Sequence, residues 1–497
     1  MTRGNRLSGV FGLFGVFGLF SLSGKLSKRG EMSYKRVTQK IIDKLESIAG
    51  RENVLTKEED IEPYSHDETP QLKFSPEVVV KVKDTSQVHQ LLALCNKEKI
   101  PITPRGGGTG VTGGAVPVKG GVVLSFEKMN QIKDIDIENQ MVVVQPGVIN
   151  GNLQRELEKE GLFYPVNPAS MDSCTIGGNV AESSSGANAV KYGGTKEYVC
   201  GIKAVLPSGE LIKAGGKLVK NATDYRLIQL ITGSEGTLAA ITEIILRTVP
   251  LPETRVDLIV PVNKLSTVKN IISKIWQEKI IPASIEYIDE LTIKITKDFV
   301  QQPPSLPVAH HYLLIGVDGK EERVTKDIEI LGQICMDEKV EDVLVAEDRP
   351  AREKLWKLRQ SIRDALLKFS LTMVEEDIVV PRSKITEFVE KINQVCSEYS
   401  LTAGVFGHLG DGNVHLNLLK TSSCQNEWEK KVKKALDKLF KIAISMGGKI
   451  SGEHGIGLVK KAYLPLVMSP AEIDIIRKTK LTFDPNNILN PGKIFDL

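Results

Sequence analysis

Apolar positions along the first half of the chain predict short helices that alternate with strands. Val37, Ile41, Leu45 and Ile48 recur at helical spacing, so we expect a helix over residues 34–48. Continuous apolar runs bounded by polar or glycine-rich stretches indicate buried strands farther along. The pattern therefore predicts a second helix over residues 85–97 and strands over 78–82, 122–124, 141–144 and 241–246.

The pattern changes after Pro250-Leu-Pro252, where longer helices accompany the strands. Strands that pair with helices lying on one side are typical of a ferredoxin-like α+β sheet. Apolar runs on both sides of Asp411-Gly412 predict a hairpin. In this half we expect strands over 258–260, 285–288, 311–317, 401–406 and 416–419 and helices over 265–276, 324–336, 351–369 and 427–444.

Length and patterning together predict four segments. A chain of 497 residues favours two domains, and the fold class expected is α+β. We place a low-complexity extension at residues 1–31, a first domain at 32–252, a second domain with the hairpin at 253–450, and a closing segment at 451–497.

The extension repeats glycine and large apolar residues over residues 10–20, with basic residues on both sides. The apolar run is shorter than the ~20 residues that cross a bilayer. No acidic residue precedes Glu31, as in signal and transit peptides, but residues 21–24 form a poor cleavage site. Two interpretations stay open. Either Met32 is the true start and the protein is cytoplasmic, or the extension is a mitochondrial or export signal.

Charge and cysteine usage exclude several classes of protein. The formal net charge is +3 with no basic stripe, which argues against nucleic acid as a partner. The six cysteines lie far apart with no C-x-x-C motif. This argues against a disulfide framework and against a built-in iron–sulfur cluster.

The stretch Pro104–Gly114 is the strongest candidate for ligand binding, because six of its eleven residues are glycine. Successive glycines let several backbone N–H groups face one anion, which suits a pyrophosphate. Gly108, Gly110 and Gly113 match G-x-G-x-x-G, but residues 114–121 cannot form the helix that a dinucleotide-binding Rossmann motif requires. A purely structural glycine turn is the alternative.

Two histidines on the predicted hairpin are candidate metal ligands. If Asp411-Gly412 forms a two-residue turn, His408 lies directly opposite His415 on one face. Ser451-Gly-Glu-His-Gly455 supplies Glu453 as a third ligand. Two histidines and one carboxylate with open positions are typical of a catalytic metal site. The alternative is that the paired histidines only cap a polar hairpin.

The glycine stretch, the Gly/Ser/Asn-rich stretch 167–186 and Gly233–Leu238 occur in an order that resembles the vanillyl-alcohol-oxidase-like FAD domains. From about Glu52 onward the chain resembles the branch with D-lactate dehydrogenase, D-2-hydroxyglutarate dehydrogenase and the FAD subunit of glycolate oxidase. The resemblance implies a two-subdomain FAD-binding domain and a ferredoxin-like substrate domain. It also implies non-covalent FAD, because Gly108 and Thr109 stand where covalent relatives place a histidine. The implied cofactor-binding residues are Arg105, Gly106, Gly107, Gly108, Thr109, Gly110, Pro168, Ser170, Thr175, Gly177, Gly178, Asn179, Gly236, Ile241 and Asn490.

The same resemblance implies the chemistry. His408, His415 and Glu453 would bind one divalent ion, zinc or manganese, and His454 would be the general base. Arg359, which follows Trp356-Lys-Leu, would bind the substrate carboxylate, and Asn417 would hydrogen-bond the substrate. Glu375-Glu-Asp377 resembles the D-lactate type, whereas D-2-hydroxyglutarate relatives carry a lysine near Glu375.

The expected activity is therefore oxidation of a small D-2-hydroxy acid, D-lactate-like, with electrons passing to an external acceptor. A quinone, an electron-transfer flavoprotein or an iron–sulfur subunit would serve, and a homodimer is a further expectation. Within the fold, the alternatives are glycolate or D-2-hydroxyglutarate dehydrogenase and a flavin-dependent ether-lipid synthase. A flavin-free metallohydrolase and a non-enzymatic binding protein are alternatives from other classes.

Overall fold

The computed structural model describes residues 33–340, 342–370, 372–421 and 424–497. The predicted extension at residues 1–31 lies outside these residues. No helix in the described part of the chain is long and apolar enough to span a membrane.

The first half of the chain forms two sheets. In the first, a parallel core of three strands is extended by one short antiparallel strand, and helices Gln39–Ala49 and Thr85–Glu98 pack on it. The strands, in spatial order, are Val54–Leu55, Val78–Lys81, Val122–Ser125 and Ile102–Arg105. In the second sheet all pairs are antiparallel, and the order is Ile132–Asp136, Met141–Val144, Ala240–Arg247, Val199–Val205 and Leu211–Gly215.

Short helices and one small strand pair fill the connections of this half. The helices are Glu58–Ile61, Asn150–Lys159, Ile176–Glu182, Ala189–Tyr192 and Leu227–Ile231, and Leu162–Phe163 pairs with Val249–Pro250.

The second half forms one antiparallel sheet of seven strands, called here the large sheet. Its order is Leu344–Ala346, Thr254–Val262, His311–Gly319, Ser284–Asp289, Thr402–His408, Asn413–Leu419 and Met373–Val379. The prediction placed helices on one side only, and this is wrong because both faces of the sheet are apolar. One face packs on helices Leu265–Gln277, Glu321–Asp337, Ile385–Glu398 and Gln425–Ser445, the other on Glu290–Phe299, Arg349–Gln360 and Ile362–Phe369.

The predicted helix over residues 351–369 is in fact two helices, Arg349–Gln360 and Ile362–Phe369. Ser361 interrupts them with φ −82° and ψ −2°, outside the dihedrals of a regular helix. Serine tolerates this break because its hydroxyl competes with the backbone for hydrogen bonds.

The C-terminal segment returns to the first sheet after helices Leu464–Val467 and Pro470–Phe483. Ile102 forms a parallel bridge with Leu489, its N–H donates to the carbonyl of Ile488 at 2.7 Å, and its carbonyl accepts from Asn490 at 2.8 Å. Residues 488–490 therefore pair alongside the edge strand that leads into the glycine stretch.

Candidate active site

A single cavity of about 540 Å³ lies between the first half of the chain and the large sheet. Its walls are the glycine loop (residues 104–114), the stretch 167–186, residues 234–241 and a polar patch on the large sheet. Every residue predicted for the site lines this cavity except Asn417. The structure thus brings together residues that are far apart in sequence, and their individual roles stay predictions.

The glycine loop offers unpaired backbone donors to this cavity. Among the described residues, no hydrogen bond uses the N–H of any residue from 106 to 110. The loop also lies close against the stretch 167–186. A Cβ on Gly106 would lie 2.2 Å from Oγ1 of Thr175, and one on Gly107 would lie 2.4 Å from the carbonyl oxygen of Ser173. Glycine is therefore required here by close packing as well as by the approach of a ligand.

Arg105 lines the cavity and also bonds the neighbouring segment. Its guanidinium donates to the carbonyl of His66 at 2.7 Å and to that of Pro63 at 3.2 Å, and it lies over the ring of Tyr64. These bonds hold residues 63–66 against the glycine loop. The role of Arg105 in holding the cofactor stays a prediction.

The Gly/Ser/Asn-rich stretch 167–186 contains the short helix Ile176–Glu182. Thr175 caps it, with Oγ1 accepting from the N–H of Gly178 at 3.3 Å. Asn490 joins the glycine loop to the third predicted segment, since Nδ2 donates to the carbonyls of Gly114 at 3.0 Å and Glu235 at 2.8 Å.

The hairpin forms, but the predicted register is wrong by two residues. Phe406, not His408, pairs with His415, because the turn extends beyond Asp411-Gly412. Its carbonyls at His408 and Leu409 accept from the N–H groups of Asp411 and Gly412. A slip of two residues keeps each side chain on its face, since strands alternate with a period of two. His408 and His415 therefore still share a face, with ring centres 5.2 Å apart.

The three predicted metal ligands meet on that face. Oε1 of Glu453 lies 3.3 Å from Nε2 of both His408 and His415, and the ligand atoms all lie within 4.8 Å of one another. Burial opposes a charge on His408, but Glu286 and Glu453 outweigh it and raise the His408 pKa to about 10. Burial likewise opposes ionisation of Glu453, but the two histidines hold its pKa well below the ordinary value. The donor set fits one divalent cation.

Asp377 shapes the loop that carries Glu453 and His454. Oδ2 of this fully buried carboxylate accepts from the N–H groups of Gly452, Glu453 and His454 at 2.8, 2.7 and 2.9 Å. Lys460 forms a buried ion pair with it. Burial opposes ionisation of Asp377, but Lys460 and then His454 hold its pKa well below the ordinary range. The His454 ring stacks on His415 at 5.2 Å and lines the cavity.

Comparison with known proteins is consistent with this site. Residues 76–215 match the FAD binding domain, and residues 251–494 match the C-terminal domain of FAD linked oxidases. The glycolate oxidase subunit GlcD of Bacillus subtilis is 39% identical, covering 92% of this chain and 97% of that protein. D-lactate dehydrogenase of Anaerostipes hadrus is 37% identical (93% and 99% covered), and D-2-hydroxyglutarate dehydrogenase of Stutzerimonas stutzeri is 32% identical (92% and 98%). The chain belongs to this family of FAD-linked oxidoreductases.

Solved structures show the fold that this FAD-linked oxidoreductase shares. p-Cresol methylhydroxylase with substrate bound superposes with a TM-score of 0.74 at 17% identity, covering 92% of this chain and 97% of that chain. Alkyldihydroxyacetonephosphate synthase gives 0.72 at 18% identity, with 94% and 87% covered. The predicted α+β class with a vanillyl-alcohol-oxidase-type FAD-binding domain is confirmed.

Two acidic residues of this oxidoreductase's site were missed by sequence reasoning. Glu286 is fully buried and contacts both His408 and Arg359. Glu235 accepts from the N–H groups of Ile456 and Gly457 at 2.7 Å each, and so holds the end of the His454 loop against the FAD-binding half. A lone carboxylate in the apolar run Ile285–Ile288 was the available signal for Glu286.

Asn417 lies behind the cavity wall of this oxidoreductase. It is fully buried, on the same strand face as His415, and opposite Glu375 in the register. Among the described residues, neither its amide oxygen nor its nitrogen has a hydrogen-bond partner. A buried amide without partners costs about 1–3 kcal/mol.

Proposed function

We propose that this protein oxidises a small D-2-hydroxy acid, D-lactate-like, to the 2-oxo acid and transfers hydride to non-covalently bound FAD. One observation carries the proposal: a single cavity runs from the unpaired N–H groups of the glycine loop to the cluster His408, His415 and Glu453. The D configuration rests on the names of the relatives.

The glycine loop would hold the pyrophosphate of FAD through the N–H groups of residues 106–110. Bound FAD supplies a hydride acceptor. The stretch 167–186 and Asn490 would hold the cofactor from the remaining sides, since they line the same cavity.

His408, His415 and Glu453 would hold one zinc or manganese ion. Such an ion lowers the pKa of a coordinated hydroxyl group. His454 would accept the hydroxyl proton, a role supported by the 3.8 Å between its Nε2 and Oε1 of Glu453 and by its ring lining the cavity. Arg359 would bind the carboxylate, since a guanidinium recognises a carboxylate through two parallel hydrogen bonds. Asn417 is fully buried and does not line the cavity, so its predicted hydrogen bond to the substrate is not part of the proposal.

Charge in the cavity favours a monocarboxylate over a dicarboxylate. Of the described arginines and lysines, three arginines line the cavity, and Arg105 is bonded to carbonyls. Arg363 is bonded to Glu375 at 2.9 Å and to the carbonyl of Glu68 at 2.6 Å. Arg359 is paired with Glu286 through Nε and Nη2 only, so the edge that includes Nη1 would remain for one substrate carboxylate. Glycolate and D-2-hydroxyglutarate are the competing substrates that the relatives' names supply.

The electron acceptor would be external, namely a quinone, an electron-transfer flavoprotein or an iron–sulfur subunit. All six cysteines are free in the structure, and five of them are at least partly buried. They offer no cluster site of their own.

Anaerobic mixing of the purified flavoprotein with D-lactate, glycolate and D-2-hydroxyglutarate tests the proposal. We expect D-lactate to bleach the flavin spectrum fastest, with slow recovery in air and fast recovery with an artificial dye. His408→Ala, His415→Ala and Glu453→Ala should each lose metal and bleaching but keep FAD. Unchanged metal content in all three variants would exclude the metal site, and recovery in air as fast as bleaching would make the protein an oxidase.

A further inference from the structure

We propose that Glu286 is a positioning residue shared by the metal site and the substrate-carboxylate site, so that one side chain couples the two. The inference rests on the proposed function and extends it to a residue outside the metal ligands and the general base.

Glu286 lies at the centre of the large sheet, directly opposite His408 in the pairing of Ser284–Asp289 with Thr402–His408. Its side chain is fully buried. Oε1 lies 2.6 Å from Nδ1 of His408, and Oε2 lies 2.7 Å from both Nε and Nη2 of Arg359. The two oxygens of one carboxylate thus serve two different functional side chains.

The contact with His408 fixes which ring nitrogen faces the cluster. When Nδ1–H donates to Glu286, the lone pair of Nε2 points at the site shared with His415 and Glu453. A carboxylate in this position also makes the imidazole a stronger donor to a cation.

The contact between Glu286 and Arg359 uses only one edge of the guanidinium. A guanidinium has a side edge, formed by Nε and one Nη, and an end edge formed by both Nη groups. Glu286 takes the side edge, and Arg359 also lies over the ring of Phe406 at 4.8 Å, which fixes its plane. The end edge then remains for a substrate carboxylate.

The same sheet contains a buried carboxylate–arginine pair that has no contact with the cluster. Asp257 is fully buried, bonds Arg255 at 3.0 Å and accepts from Trp356 Nε1 at 2.9 Å. It is a matched control, because replacing it removes a buried charge from the large sheet without touching His408 or Arg359.

The experiment compares Glu286→Gln with Asp257→Asn, both purified as flavoproteins. Glutamine has one acceptor oxygen, so it can serve His408 or Arg359 but not both. For each variant, FAD content, thermal midpoint, affinity for zinc and manganese by chelator competition, and KM and kcat for D-lactate are measured. We expect Glu286→Gln to lose about tenfold to a hundredfold in metal affinity and to raise KM, with FAD retained. Asp257→Asn should lower the thermal midpoint but keep metal affinity and KM within twofold of wild type.

Metal affinity and KM of Glu286→Gln within twofold of wild type would overturn the inference, as would equal losses in Asp257→Asn. If Glu286→Gln does not fold, Arg359→Lys replaces it. Lysine lacks the Nε and Nη2 pair through which Arg359 bonds Glu286. If Glu286 couples the two sites, Arg359→Lys should therefore lower metal affinity, although Arg359 is not a metal ligand. Unchanged metal affinity in Arg359→Lys would also overturn the inference.

Wild-type protein that binds no metal and is not bleached would refute the proposed function itself, and the inference with it.

Discussion

At the scale of single residues, a few polar side chains on an otherwise apolar sheet face define the site. Phe406 and Ile288 of that face belong to a buried core, whereas Glu286, His408, His415 and Asn417 interrupt it. Burying such groups is costly unless they are paired or bind a ligand. These polar groups therefore replace apolar packing where the cavity meets the large sheet.

His311, on the same sheet, gives a pH-dependent prediction. Burial, and then the neighbouring His310, lower its folded-state pKa from 6.5 to about 4. Between these values the unfolded chain binds a proton that the folded chain does not, so stability is lost as pH falls from 6.5 towards 4. His311→Gln should therefore show a shallower loss of unfolding free energy than wild type over this range, measured by urea denaturation.

The difference between the two proteins at pH 7 provides the control. Both side chains are neutral there, so that difference reports lost packing and the lost contact with Tyr287 at 2.9 Å. Parallel curves for the two proteins from pH 7 to 4.5 would contradict the prediction.

Sequence reasoning could group residues whose local motifs carry chemistry. His408, His415 and Glu453 were predicted as one cluster, and the structure brings them together. Glu286 was not found, because it is 122 residues from His408 in sequence and sits in an apolar strand with no motif around it. Only the pairing of two distant strands shows that it belongs to the site.

At the scale of elements, apolar periodicity predicted five of the seven strands of the large sheet, but it missed helices Glu290–Phe299, Ile385–Glu398 and Pro470–Phe483. Leu265–Gln277, Glu321–Asp337 and Gln425–Ser445 extend the predicted helices by only a few residues. Turn geometry was less predictable. The hairpin at Asp411-Gly412 uses a longer turn than its sequence indicates, and Ser361 breaks a helix whose apolar pattern continues through it.

Asp377 gives a prediction at this scale, because its carboxylate accepts hydrogen bonds from three successive N–H groups of the loop 452–454. Asp377→Asn should lower the unfolding free energy by about 1–3 kcal/mol, since it weakens the bonds to three buried N–H groups and leaves Lys460 with Glu376, 3.3 Å away, as its remaining charge partner. The loop of Glu453 and His454 should also loosen, so metal content should fall. Chemical denaturation and metal analysis measure the two effects.

Glu398→Gln is the control for Asp377→Asn. It breaks the exposed pair with Lys438 and should cost less than about 1 kcal/mol. Equal costs for the two variants would show that Asp377 does not organise the loop.

At the scale of the whole molecule, the C-terminal segment joins the two halves. Lys480 donates to the carbonyls of Thr237 and Leu489 at 2.7 Å each, and Asn490 donates to those of Gly114 and Glu235. The sequence indicated this return only through resemblance, because no local pattern reveals which distant carbonyls a segment will meet. The boundaries predicted between the four segments stay predictions.

Asn490→Ala should reduce both FAD content and stability. The variant leaves two buried carbonyls without a donor, at a cost on the order of 1–3 kcal/mol each. Asn490 also has φ 45°, a backbone conformation that asparagine tolerates better than alanine. Flavin absorbance per protein and the thermal midpoint of the flavin-free protein are the measurements.

The matched control for Asn490→Ala is Asn486→Ala, in the same segment. Asn486 makes one hydrogen bond, to Asn96 at 2.9 Å, and does not reach the glycine loop. FAD content that falls equally in both variants would contradict a specific role for Asn490.

The bridge between Ile102 and Leu489 also has a consequence for biosynthesis. Gly114 is translated 376 residues before Asn490, which takes ~20–75 s at about 5–20 residues per second. Throughout that interval the strand Ile102–Arg105 is an open edge on the nascent chain, and an open edge invites pairing with other chains. The nascent first half therefore exposes this edge to pairing with other chains until the distal segment emerges.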